Sequence, residues 1–513
     1  MEQIDKQALQ TDLEHSRRLR EYLMADRDRP TYHFICPEDD GNPGDPNAAF
    51  YANGRYHLMF LYHCCSDGFR YGHMSSADLL HWTRHPDALI PDELDGGIFS
   101  GGAFVDTDGT AYISYWALKK GDFDDVNSGI RLAYSRDIAN HYTAWTKMTA
   151  EAVPATENGC RTVRAADGSE LHLAAADPSN IWKKGEYYYL QAGNLPVLQR
   201  YGGEKGEARY RGDFTDLYRS RDLVHWEYVH RFYQRKADNS WTDETEDDMC
   251  PSFLPLPRST TGGEASDRYL QLFIAHNRGA QYYIGRYDAG DDRFLPERHG
   301  RMSWQDNSFF APEALMAPDG RQLMWAWLKD NRRDEVQRFG WSGVFSLPRS
   351  LALAEDGSLM IEPAQELRSL RANRRDSLTG LRSRTCEIRA VLEPAENAGK
   401  AGLRVFATPD GREETLVYYD ARTQELVVDG TKSYGDRPGI VERAPFALRS
   451  GEPLELDVFL DRSVVEVFAN GRQAICRRIY TASQEADAVS FCLEGDVQVR
   501  ELDVWDMIPT NPY

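Results

Sequence analysis

Several things that would declare a chemistry at once are missing from this sequence. The eight cysteines (Cys36, Cys64, Cys65, Cys160, Cys250, Cys386, Cys476 and Cys492) contain no CxxC or other metal-ligand spacing, which argues against a zinc site. No apolar run approaches the length of a membrane span, and Met1-Glu2-Gln3-Ile4-Asp5 lacks the basic-then-apolar order of a secretory leader. Positive charge is scarce: 60 Lys and Arg against 81 Asp and Glu give a formal charge of −21, which repels nucleic acid and anionic membrane. There is no glycine-rich phosphate loop and no calcium loop with proper ligand spacing, since Asp106-Thr107-Asp108-Gly109 reads better as a hairpin turn. The expectation left standing is a protein of the reducing cytoplasm, with free thiols and no metal or cofactor.

Aromatic residues, by contrast, are plentiful. The 27 Tyr, 21 Phe and 11 Trp suit a β-rich protein that stacks on sugar rings, and equally an ordinary β core. With 513 residues the chain can fill two or three domains. In residues 1–29 the leucine pairs Leu9/Leu13 and Leu19/Leu23 recur four apart among charges, predicting a helix that Pro30 ends.

Beyond Pro30 a turn followed by an alternating or aromatic strand recurs five times: Asn53–Phe60, Asp108–Trp116, Lys184–Leu190, Asp267–Phe273 and Asp319–Trp327. Each copy follows another short strand, at 48–51, 102–105, 179–182, 252–255 and 313–316. An outer-strand phrase also repeats, Ser76-Ala77-Asp78-Leu79-Leu80-His81-Trp82 and Ser220-Arg221-Asp222-Leu223-Val224-His225-Trp226. Repeats of this kind predict a five-bladed β-propeller over residues 30–350. Residues 351–385 read as a charged linker, and 386–513 as a β-sandwich with strands such as Leu454–Leu460 and Val464–Phe468.

Acidic residues sit at the blade starts. Asp45 precedes the inner strand of blade one, Asp177 that of blade three and Glu246-Asp247-Asp248 that of blade four, while Glu313 opens blade five. Inner strands line the central channel of a propeller, so these carboxylates are expected to converge on one funnel. Acids crowded together repel, and one of them should hold its proton. A carboxylate beside a protonated carboxyl is the requirement for glycosidic cleavage. Any one of these turns taken alone is as well explained as structure.

At these residues the chain resembles glycoside hydrolase family 32, the invertase, inulinase and levanase group. The resemblance runs through Tyr32-His33-Phe34 to Asp45-Pro46-Asn47, Tyr71–Trp82, Phe99-Ser100-Gly101-Gly102, Asp177-Pro178, Trp341-Ser342-Gly343 with Leu347-Pro348-Arg349, and Asp461–Phe468. It implies a propeller followed by a sandwich, with Asp45 as nucleophile and Asp177 as the aspartate that holds sugar hydroxyls and stabilises the transition state. It also implies a retaining reaction on β-fructofuranosyl linkages, with sucrose-, inulin- or levan-type oligosaccharides as substrates. Asn47, Phe99, Ser100, Trp116, Arg278 and Trp341 are expected to contact the sugar.

The departures are specific. The arginine of the family's Arg-Asp-Pro motif is Ala176, a glutamine falls at Leu61, and Tyr71 replaces a tryptophan. The family's Glu-Cys-Pro motif reads Met249-Cys250-Pro251, and Met cannot transfer a proton. Glu246 is the expected replacement acid, with Asp247, Asp248 and Glu313 as rivals, and Arg278 could supply the charge missing at Ala176. A furanosidase of other specificity, for instance on arabinofuranosides, and a sugar-binding propeller without catalysis remain alternatives. The sandwich is compatible with a packing role, a homo-oligomer contact or glycan binding.

Overall fold

A computed structural model describes residues 6–36, 43–63, 68–118, 129–165, 167–235, 240–330, 332, 341–434 and 439–511. Cys64 and Cys65 lie outside the described residues. A helix at Lys6–Ala25 precedes five antiparallel meanders. Their inner strands are Pro46–Ala52, the split pair Gly97–Phe99 and Ala103–Val105, the split pair Ala176–Pro178 and Trp182–Lys184, Met249–Pro257, and Phe309–Met316. The blades touch in a closed ring through these strands, one to two, three to four, four to five and five to one, and from two to three through blade two's second strand, Ala111–Leu118. The ring is what makes the sheets a five-bladed propeller, as the repeats predict.

The repeated Ser-x-Asp-Leu phrase is the turn into the outermost strand of blades one and three. Asp78 and Asp222 each accept two backbone N–H groups from the turn. The following leucines, Leu79 (φ 67°) and Leu223 (φ 64°), take the left-handed conformation. An aspartate closing the turn in this way offsets the strain of a branched residue there.

The inner strands of blades one, three, four and five each carry a bulge, marked by a register shift and by a non-glycine residue at positive φ: Ala48 (47°), Asp177 (30°), Cys250 (50°) and Ala311 (45°). Bulges of this kind re-aim side chains next to functional sites. They also give a common frame. Asn47, Ala176, Met249 and Phe310 each precede the bulge by one residue, and Asp45, Asp247 and Ser308 by three.

The domain boundary differs from the one read in the sequence. Arg349–Leu353 and Leu359–Pro363 complete blade five. Arg371–Arg375 is already the edge strand of a six-stranded sheet, which packs with a five-stranded one as the sandwich. Only the 3-10 helix Gln365–Leu370 joins the two domains. Arg371, Arg374 and Arg375, part of the charged stretch read as a linker, lie on that edge strand.

Three motifs far apart in sequence meet where the domains join. Asp461 accepts from the backbone N–H groups of Thr31, Tyr32 and His33 at 2.7–2.9 Å and pairs with His33 Nδ1 at 2.9 Å. Glu466 accepts from the Leu347 N–H at 2.7 Å and pairs with Arg349 at 3.0 Å, all without solvent exposure of the two charged side chains. The sandwich motif is thus an anchor for the start and the end of the propeller.

Trp341, expected at the sugar, belongs to this junction. It is buried, its indole N–H donates to Asp26 at 2.6 Å, and the guanidinium groups of Arg332 and Arg478 both lie over its ring, at 4.5 and 5.3 Å.

Candidate active site

Asp45 and Asp177 meet at the centre of the ring. Cys250, at the bulge of blade four, points its thiol at both, 3.8 Å from Asp45 Oδ2 and 3.5 Å from Asp177 Oδ2. Burial raises the Cys250 thiol pKa well above its usual value, and the two carboxylates add to the effect, so the sulfur is an S–H donor. Ser100 donates to Asp45 Oδ2 at 2.7 Å, so its hydroxyl serves the carboxylate directly.

Burial raises the pKa of Asp45, opposed by the Ser100 hydroxyl and by the charges of Lys329 and His276. Asp177 is pushed up to about 7, first by burial and then by the charge of Asp45, against the pull of His276 and Cys250. Two carboxyl groups so placed do not both ionise readily, so the pair holds a proton that neither would keep alone. Its Oδ1 is buried and has no hydrogen-bond partner among the described residues. A buried acceptor or donor left open at the mouth of two carboxylates fits a sugar hydroxyl.

Around this pair stand Tyr71, fully buried, whose hydroxyl donates to the Phe99 carbonyl at 2.8 Å, and an aromatic group in which the Phe99 ring lies 4.9 Å from Phe69 and 5.5 Å from Trp116. Phe99 and Trp116 therefore stand together beside the site. The amide of Asn47 is engaged by the scaffold: it donates to the Asp45 carbonyl at 2.9 Å and accepts from the Gly101 N–H at 3.1 Å, tying blade one to blade two. Both ends of the amide meet backbone, so Asn47 also braces the two blades.

The acidic run of blade four fans out in three directions. Glu246, expected to be the acid, faces outward: Arg301 on the outermost strand holds both its oxygens at 2.8 and 2.9 Å, and Gln281 on the third strand donates at 3.0 Å. Glu246 is thus bound by a bidentate guanidinium on the outer strands and not turned to the ring, which corrects the assignment. Asp248 goes between blades three and four, accepting from Tyr233 and from Gln271 at 3.0 Å. Asp247 takes the third direction and pairs with His276, Oδ2 to Nδ1 at 2.9 Å.

Glu313 is a buried brace whose Oε1 accepts from the Ala49 N–H at 2.7 Å. Arg278 is half-exposed and pairs with Asp243 at 3.3 Å. It does not replace the charge missing at Ala176, because its guanidinium goes to the rim. Ala176 and Met249 lie instead in one apolar cluster, at 0% and 1% exposure. The arginine and the glutamate that the resemblance implies at these adjacent blade positions have thus given way together to a packed apolar pair, leaving neither charge buried alone.

The cation that sequence reasoning missed is Lys329, which stands 3.5 Å over the Phe310 ring. Burial lowers its pKa, and the charges of Asp45 and Asp306 oppose that. The signal was positional. Asn47 pairs with Met59, Met249 with Ile274 and Phe310 with Trp327, so two residues further along come Leu61, His276 and Lys329 at one equivalent place in three blades.

Residues 33–363 match the N-terminal domain of glycosyl hydrolases family 32, and residues 360–506 match the C-terminal domain of the same family. A sucrose-6-phosphate hydrolase of Zymomonas mobilis is 27% identical over 524 residues, covering 95% of this chain and 94% of that protein. A Bacillus levanase is 27% identical over 517 residues and 93% of this chain, and the chain spans only about half (52%) of that relative's length. The crystal structure of fructan 1-exohydrolase IIa from Cichorium intybus superposes with a TM-score of 0.76 at 20% identity, covering 94% of this chain and 98% of that one. That likeness shows the fold.

Proposed function

This chain belongs to glycoside hydrolase family 32 and is a glycosidase of the β-fructofuranosidase type, and from that premise we propose a retaining reaction run by Asp45 and Asp177 on fructo-oligosaccharides of the sucrose, inulin or levan type. Asp45 attacks the anomeric carbon and forms a covalent fructosyl-enzyme, which water or a second sugar then resolves. Asp177 holds ring hydroxyls through the oxygen that protein groups leave unmatched, and binds them more tightly as oxocarbenium character develops.

The observation that carries this reading is the carboxyl pair itself. Asp45 and Asp177 share the Cys250 thiol, and the Asp177 pKa is raised to about 7. Ser100 and Lys329 favour the anion at Asp45, as a nucleophile needs. A reducing, cytoplasmic setting is part of the proposal, and Cys160, Cys250, Cys386, Cys476 and Cys492, none of them in a disulfide, support it.

Met249 favours a second reading, a propeller that binds sugar without turning it over. The test compares wild type with Asp45→Ala on an activated aryl β-fructofuranoside and on fructo-oligosaccharides, with the product anomer read by NMR. Cleavage with retention that Asp45→Ala abolishes is the expected result. Inversion at the anomeric carbon overturns the mechanism, and fructoside binding without cleavage establishes the second reading.

A further inference from the structure

We propose that His276, held in place by Asp247, is the general acid and base of the reaction, in the role that Met249 cannot fill. The proposal rests on Asp45 being the nucleophile, and it arises from which groups of blade four face the ring and which do not.

Every other acid named for the role is occupied. Glu246 is clamped by Arg301, Asp248 is taken up by Tyr233 and Gln271, and Glu313 receives the Ala49 N–H. Asp247 is the blade-four counterpart of Asp45, three residues before the bulge, and His276 is the counterpart of Leu61, whose N–H donates to the Asp45 carbonyl at 2.9 Å. In blade four the corresponding N–H of His276 goes to the Asp247 side chain, at 2.9 Å to Oδ1, while Oδ2 takes Nδ1 at the same distance.

Two bonds from one carboxylate fix both the backbone and the ring. A third, from Asn307 to the His276 carbonyl at 2.8 Å, and the edge-on Phe310 ring at 5.6 Å complete the hold. With Nδ1 bound to Asp247, Nε2 is the free nitrogen, on a side chain 47% exposed and within electrostatic reach of both Asp45 and Asp177. A carboxylate that orients a histidine while the far nitrogen handles the proton is an established way to build an acid and base.

In the first half-reaction an Asp45 oxygen bonds to the anomeric carbon as the glycosidic bond breaks. The bonding pair leaves with the glycosidic oxygen, which takes the Nε2 proton and departs as a neutral alcohol. In the second half, neutral Nε2 accepts a proton from water as the water oxygen bonds to the anomeric carbon. The ester bond breaks and its electrons return to Asp45. Asp247 touches no reacting atom and is a positioning residue.

Charged groups bearing on the imidazole come from several blades. Partial burial works to lower its pKa, and the Asp247 hydrogen bond and charge, with Asp177 and Asp45, outweigh that and raise it. Lys329 of blade five stands over the same Phe310 ring that His276 packs against, and the neighbouring Arg278 is paired with Asp243.

The test is steady-state and burst kinetics on the full chain. For His276→Ala, a loss of about 100- to 10,000-fold is expected on a fructo-oligosaccharide, a smaller one on an aryl fructoside, and recovery with azide as fructosyl azide forms. His276→Gln, which keeps a polar group of similar reach, checks that the fold survives, read by sugar binding. Asp247→Asn removes the charge that raises the imidazole pKa, so the alkaline limb of kcat/KM should move to lower pH. Equal losses on both substrates without azide recovery, or no loss at all, overturn the proposal. A wild type that cleaves no fructoside overturns the proposed function instead.

Discussion

Replacing Glu313 with glutamine should make the protein more stable, and by an amount that grows with pH. Glu313 sits two residues past the bulge of blade five at 5% exposure, with its Oε1 on the Ala49 N–H. Burial pushes the carboxyl from 4.5 up to about 8, against the pull of the Ala49 and Ala314 N–H groups. Because the folded value is the higher one, the group's contribution to stability is complete below the unfolded pKa and is lost as pH rises toward the folded pKa. At about 1.4 kcal/mol per unit, wild type gives up about 3 kcal/mol by pH 7 and 4 to 5 kcal/mol above pH 8. Glutamine is neutral throughout, similar in shape, and keeps an acceptor for the Ala49 N–H. Urea unfolding of both proteins at several values between about pH 4 and pH 8.5 should give curves that coincide at the acid end and separate steadily above it. A difference that stays constant across the range, or a variant less stable than wild type at neutral pH, would refute the burial argument.

Glu246→Ala should destabilise by roughly 3 kcal/mol, because Arg301 is left largely buried without its partner. It should leave the ratio of aryl to oligosaccharide turnover unchanged, and a selective loss on oligosaccharides would restore Glu246 as the acid. Glu466→Ala strips a carboxylate from Arg349 and His33 at once. Urea unfolding should register a loss of about 3–5 kcal/mol. His57 and His73, both fully buried, share a hydrogen bond at 3.0 Å, and burial holds the His57 pKa down to about 3. A histidine with a depressed folded pKa contributes stability above its unfolded pKa and loses it as pH falls. The destabilisation caused by His57→Phe, which keeps the stack on Phe50, should therefore shrink by about 2 kcal/mol between pH 8 and pH 5.

The fold was legible because its signals are local. Strand alternation, Asn-Gly and Asp-Gly turns and the twice-repeated Ser-x-Asp-Leu phrase act over a few residues, and five turn–strand repeats are hard to satisfy with anything but a ring of blades. The boundary at 351–385 misread for a related reason. An outer strand and an edge strand have charged exposed faces, and composition does not separate them from a linker.

The sequence by itself determined the propeller and sandwich, the placing of Asp45 and Asp177 at blade starts, and the loss of an acid at Met249. Tertiary structure alone decided which way each side chain of Glu246-Asp247-Asp248 points. These residues lead into the strand Met249–Pro257, and a bulge two to four residues on resets the alternation that spacing alone would suggest. The partners that settle the outcome, His276, Arg301 and Tyr233, lie on or just beyond other strands, 29 and 55 residues later for the first two and 15 earlier for the third. Spacing along the chain therefore favoured Glu246, and packing gave it to Arg301.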